Sequence, residues 1–300
     1  MTGTAMPVNA QGAPAARPGR RRLSLTWLGL APFAIFATMF LLIPTSYLVV
    51  GSFIDSHSGG LTLDNYRSLT DPVPINAYMT SIEISFVTAL GGGIFGFLMA
   101  YAVISGGAGP FRSGLMTFSG VASNFAGIPL ALAFIFTIGR LGLLTTFLNG
   151  IGIHLYDSGF SLYTKLGLEI VYFYFQLPLM ILIIAPAIDG LKKEWREASE
   201  NMGASTFQFW RYVALPVLMP SLLGSMILLF GNAFGAQATA FALTGGFIPL
   251  VTILIGSQLS GDALGDQNLG YALAMGMVAI MGVTLVAYSW LTRRTERWQR

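Results

Sequence analysis

Six apolar runs, each near the roughly 20 residues a helix needs to cross a hydrocarbon core, constrain this chain more than any other feature. They are Trp27–Val50, Ile82–Ile104, Leu115–Ile138, Leu168–Ile188, Leu218–Ala242 and Leu269–Leu291. The expected fold class is therefore all-α integral membrane, with six transmembrane helices. A seventh run, Phe247–Ile255, is about half the required length and follows Gly245 and Gly246, with Pro249 inside it. It reads as a re-entrant or interfacial piece. A chain with 54% hydrophobic and only 10% charged residues, at mean hydropathy +0.68, is no water-soluble globule, because soluble domains carry roughly a quarter of their residues as charges. With no cysteine it has no disulfide, thiolate metal site or Cys nucleophile, and two histidines, His57 and His154, are too few and too far apart to suggest a metal site.

Basic residues are retained on the cytoplasmic side of a membrane, and here they segregate. Arg17, Arg20, Arg21 and Arg22 precede helix one; Arg112 lies between helices two and three; Lys192, Lys193, Arg196 and Arg211 lie between helices four and five; Arg293, Arg294, Arg297 and Arg300 follow helix six. Arg67, Arg140 and Lys165 fall on the other side. Both termini and the loop between helices four and five are thus expected in the cytoplasm. The net charge of +3 reflects topology and gives no reason to expect a nucleic-acid partner.

Three regions are expected: a disordered tail over 1–22, a transmembrane domain over 23–292 and a basic tail over 293–300. The first apolar run exceeds the roughly 7–15 residues of a signal peptide core, so it reads as an uncleaved helix. Pro32 and Pro44 predict local kinks in helix one. Gly91, Gly92, Gly93 and Gly96 in helix two, and Gly270, Ala274, Gly276 and Gly282 in helix six, predict close helix packing. Ser123-Asn124-Phe125-Ala126-Gly127-Ile128-Pro129 interrupts helix three, and the bend must face protein or a cavity because irregular backbone cannot face lipid.

Between helices four and five lies a charged island. Lys192–Met202 can form an amphipathic helix that Gly203 ends, since a helix stop commonly needs a left-handed residue without a Cβ. Ser205 with Gln208 three residues later has a capping-box pattern for a second short helix, which Leu215-Pro216 would break before helix five. The result is a rigid helix-turn-helix knuckle.

Glu197-Ala198-Ser199, then Gly203, then Val213-Ala214-Leu215-Pro216 resembles the EAA loop of ABC-importer inner-membrane permeases, the type I binding-protein-dependent transport family. The resemblance covers about Leu61 to Leu291, and the phrase Thr62-Leu63-Asp64-Asn65-Tyr66 also recurs there. Ser199 stands where Ala is usual and Val213 where Ile is common. Ser123–Leu130 and Asn232-Ala233-Phe234-Gly235-Ala236 resemble the spermidine/putrescine permease branch and its iron and aminophosphonate relatives. The family implies ATPase coupling through Glu197, Ala198, Ser199, Gly203, Leu215 and Pro216. It further implies two ATP-binding cassette subunits carrying ATP and Mg, a second permease subunit favoured as a paralogue in a heterodimer, and an extracytoplasmic solute-binding protein, all at the bacterial cytoplasmic membrane. No cofactor is expected on this chain, which lacks a phosphate loop: none of its three lysines follows a glycine.

Polar groups inside membrane helices usually face the bundle interior. Glu83, Asn124, Asn232 and Gln237 are the solute-pathway candidates, with interhelical bonding or pairing of Glu83 to Lys165 or Arg140 as the structural alternatives. Gln176 is expected to repair carbonyls freed at Pro178. Tyr172–Phe175 read as interfacial anchors or as a surface for stacking on a cationic solute. A membrane-embedded enzyme or a passive channel are the other classes; the former lacks paired intramembrane acids, a His cluster, or a Ser near a base.

Overall fold

The computed structural model describes residues 26–56, 58–104, 109–260 and 265–296. The tail expected over 1–22, His57, and Arg297 and Arg300 lie outside the described residues. The chain divides into two compact units, Met1–Ser46 and Tyr47–Arg300.

The described part of the first unit is helical throughout: α1 (Thr26–Ala37), a π-turn (Thr38–Leu42) and the start of α2 (Ile43–Gly51). Proline removes an N–H and its ring crowds the carbonyl one turn earlier. Ahead of Pro44 the helix widens, and the Ile43 N–H reaches back five residues to the Thr38 carbonyl.

In the second unit, α3 (Asp64–Ser68) precedes α4 (Pro72–Ile104), which at 33 residues is about 50 Å long. It starts ten residues before the apolar run at Ile82. Pro72 and Pro74 mark this extension as a helix start, because first-turn N–H groups have no intrahelical partner to lose. Next come α5 (Pro110–Asn124), α6 (Ile128–Ile138), α7 (Leu143–Gly150) and α8 (Lys165–Asp189). The third segment of membrane length is Ile128–Gly150, not the expected Leu115–Ile138. After α9 (Lys193–Asn201) and α10 (Thr206–Phe209), a second π-turn (Trp210–Ala214) leads into α11 (Leu215–Phe234). α12 (Ala238–Thr244), α13 (Val251–Leu259) and α14 (Gln267–Glu296) complete the unit. Six described segments are long and apolar enough to cross a membrane.

α4 is the hub. A Cβ at Gly92 would stand 2.5 Å from the Gln176 Cβ, and one at Gly96 would stand 2.7 Å from the Met180 Cβ, so α4 and α8 meet backbone to backbone. Gly93 leaves room for the Met226 side chain of α11, whose Cε a Cβ there would meet at 2.8 Å. In lipid such contact supplies the packing that the hydrophobic effect supplies in water. Gln176 corrects the sequence reading. It is fully buried and donates to the Leu229 carbonyl of α11 at 2.9 Å, so it clamps two helices together. Tyr172 and Phe175 are buried as well, and Phe173 packs on Phe95 and Tyr174 on Phe134. The aromatic run is bundle core and not an interfacial anchor.

Candidate functional site

The knuckle is built as its residues dictate. α9 ends in a Schellman motif: Gly203 N–H donates to the Glu200 carbonyl at 2.9 Å and Ala204 N–H to the Ser199 carbonyl at 3.0 Å. Gly203 takes φ +78° there, a conformation that costs other residues about 1–2 kcal/mol. Ser205 and Gln208 close the capping box, at 2.7 and 3.3 Å. Leu215-Pro216 does not break the chain's helical course. The π-turn before it passes the Leu215 N–H to the Trp210 carbonyl, and Pro216 falls in the first turn of α11.

One contact fastens the knuckle to the bundle, and a second ties α5 to the end of α8 that leads into it. Trp210 stacks edge-on against Tyr101 of α4 with ring centres 4.4 Å apart. Arg112 of α5 pairs with Asp189, where α8 runs out, at 2.6 Å. Ser199 is turned inward and donates to the Arg196 carbonyl. Arg196 also bonds Glu200 at 2.9 Å, and that bond with the Glu200 charge raises the Arg196 pKa. Glu197, Ala198, Gly203, Leu215 and Pro216 are all exposed. So are Met202 at 81%, Phe207 at 72% and Tyr212 at 69%.

At the opposite end of α8, Lys165 pairs with Glu83 of α4. Arg112 and Lys165 therefore lie at opposite ends of α8, as the charge segregation requires.

Two of the six apolar runs are interrupted, each at one end of a segment of membrane length, and the interruptions meet. α5 and α6 are separated by Phe125-Ala126-Gly127, with Gly127 at φ +74°. α11 and α12 are separated by Gly235-Ala236-Gln237, where an unbroken helix through Ala242 was expected. The Gly127 N–H donates to Thr239 Oγ1 at 2.8 Å, and the Tyr172 hydroxyl donates to the Ala236 carbonyl. Behind the second break, Ser81, Ser85, Tyr172, Ala233, Ala236 and Thr252 enclose a space too tight for water.

Asn124 ends α5 and is exposed, its amide donating to the Gly120 carbonyl at 2.8 Å. Asn232 is exposed on α11 just before the break. Gln237 lies in the break itself, with its Nε2 against Gly256 of α13. α13 is bound in turn by the Val251 N–H to Ser81 at 2.9 Å. Glu83 stands apart, since it is two residues from Ser81 and Ser85 and so off their helix face. Sequence reasoning missed Tyr172 and Thr239 as partners of the breaks. Each acts on backbone more than 60 residues away, so no local pattern marks either one.

Residues 92–297 match the family described as binding-protein-dependent transport system inner membrane component. The sulfate transport system permease protein CysT of Salmonella typhimurium is 28% identical, with 75% of this chain and 77% of the relative covered. The spermidine/putrescine transport system permease protein PotB of Haemophilus influenzae is 26% identical, with 83% and 87% covered. In fold, the chain resembles a bacterial alginate ABC transporter solved with an alginate pentasaccharide-bound periplasmic protein, at TM-score 0.71, 16% identity, and 90% and 94% coverage. With a family match over well more than half its length and six segments able to cross a bilayer, this chain belongs to the inner-membrane components of binding-protein-dependent transport systems and is a multi-pass permease subunit of an ABC importer.

Proposed function

We propose that the subunit forms half of a solute pathway that opens alternately to the two sides of the membrane, and that Asn124, Asn232 and Gln237 line it. The observation that carries this is the exposure of both asparagines, Asn232 on a segment of membrane length and Asn124 at the end of α5 beside the first break. An amide turned to acyl chains is expensive, so such groups face a protein partner or a water-filled path. The second permease subunit, a paralogue in this reading, closes the other side. Glu83 and its Lys165 partner stand at the outer mouth, where an arriving charged solute passes first.

The knuckle serves as the grip for the ATPases. Glu197, Ala198, Gly203, Leu215 and Pro216 offer the contact face, with Ser199 turned inward to hold α9 in shape. Two ATP-binding cassette subunits close on ATP and Mg, draw the knuckles together and open the pathway beneath a docked solute-binding protein. Hydrolysis reverses the motion. This places the knuckle and both termini in the cytoplasm.

The solute is a small ion. The Asn124 and Asn232 phrases and the PotB relative favour a polyamine; the CysT relatives favour sulfate. No ionised residue occurs from Ser119 to Ala131 or from Phe230 to Thr244, and amides suit either sign. The transporter, reconstituted in liposomes with its ATPase, second permease and binding protein, should take up labelled spermidine or labelled sulfate only with ATP. Uptake of either without ATP would overturn the importer mechanism; ATP-driven uptake of sulfate alone would overturn the polyamine assignment.

A further inference from the structure

Where an apolar run is interrupted, the freed backbone N–H and C=O groups need partners. At both breaks such a partner comes from a different helix. Thr239, on the short α12 just past the second break, accepts from the Gly127 N–H of the first. Tyr172, on α8, donates to the Ala236 carbonyl of the second. The bonds are in series: α8 holds the second break, and the helix beyond that break holds the first. Tyr172 is 1% exposed and Thr239 2%, so water cannot readily replace either hydroxyl.

The same α8 runs on to Asp189 and into the knuckle, and it is pressed to α4 at Gly92 and Gly96. A displacement at the knuckle end is thus carried along α8, which stays one helix through Pro178 and Pro186, to Tyr172. We propose that Tyr172 and Thr239 are positioning residues that latch the two breaks together, keeping the path beside Asn124 shut until α8 moves. The proposal rests on the reading of Asn124 as a pathway residue. The polar side chains of the breaks then touch the solute, while the two buried hydroxyls set when they are reachable.

The absence of cysteine provides a clean test. Asn124→Cys is introduced alone into the full chain, assembled with its partner subunits in membrane vesicles. Its labelling by a membrane-impermeant trimethylammonium thiosulfonate is timed without nucleotide and during ATP turnover. In the resting state, Thr239→Val, which keeps the shape and removes the acceptor, should raise the labelling rate at least five-fold. Tyr172→Phe should do the same, and Thr239→Ser, which keeps the hydroxyl and loses the methyl, should restore the slow rate. A packing role would show the reverse order, with Ser worse than Val, and would overturn the latch. Equal resting rates in the Thr239→Val variant and its parent, with labelling during turnover, overturn the latch and leave the pathway standing. No labelling of any variant in either condition overturns the pathway reading and the latch with it.

Discussion

At Gly92 one hydrogen atom stands where any other residue would place a carbon 2.5 Å from the Gln176 Cβ. That distance is well inside van der Waals contact, and both atoms sit near the backbone, so neither can swing away. Overpacking of this kind costs typically 1–3 kcal/mol. Gly92→Ala should lower the midpoint of thermal unfolding in detergent, while Gly282→Ala, where the added carbon meets nothing within 4 Å, should leave it unchanged. Equal midpoints for the two variants would mean that α4 and α8 are not in backbone contact. Gly91, Gly92, Gly93 and Gly96 were legible as packing residues from their spacing alone, whereas Gly282, expected to pack closely too, meets nothing within the described chain. The partners of those four were not, because Gln176 and Met180 look like ordinary members of a different apolar run.

The knuckle behaves as one element because its two short helices are closed off by backbone geometry and are not merely adjacent. Around Gly203 the subunit leaves open space, so a substitution there acts through its left-handed backbone or through whatever docks on it, not through a clash within the chain. Gly203→Asp should insert and assemble normally yet lose stimulation of ATP hydrolysis by the loaded binding protein, measured on the purified transporter. Retained stimulation would remove the knuckle from the coupling path. This element was almost fully readable beforehand: a glycine stop, a capping box and an amphipathic stretch are local rules. The interruption between Phe234 and Ala238 was not, because Gly235-Ala236-Gln237 has no proline to announce it and the group that stabilises it comes from Tyr172 on a distant helix. The first break showed itself only because Gly127 and Pro129 spell it out. The extension of α4 back to Pro72 was hidden for the opposite reason, as prolines that look like loop are harmless in a first helical turn.

Taken whole, the bundle of the second unit has unlike ends, one holding the knuckle and Arg112, the other Lys165 and Glu83. If the knuckle is cytoplasmic, Glu197→Cys should react with an impermeant maleimide only after lysis. Asp157→Cys should react in intact cells whose outer membrane has been made leaky. The reverse pattern would invert the topology and separate the knuckle from any ATPase. The number of membrane segments could be counted in advance from hydropathy, but which faces stay uncovered could not, since that depends on how the helices turn.

The amides of Asn124, bonded to the Gly120 carbonyl of its own helix, and of Asn232 are both exposed, and this also bears on the fate of the chain in the cell. If a second permease subunit covers them, as proposed, a copy that fails to find this mate would present hydrogen-bonding groups to oil, and membrane quality control reads such surfaces as damage. Synthesis in excess of the mate should therefore end in proteolysis, so that abundance is set by the scarcer of the two.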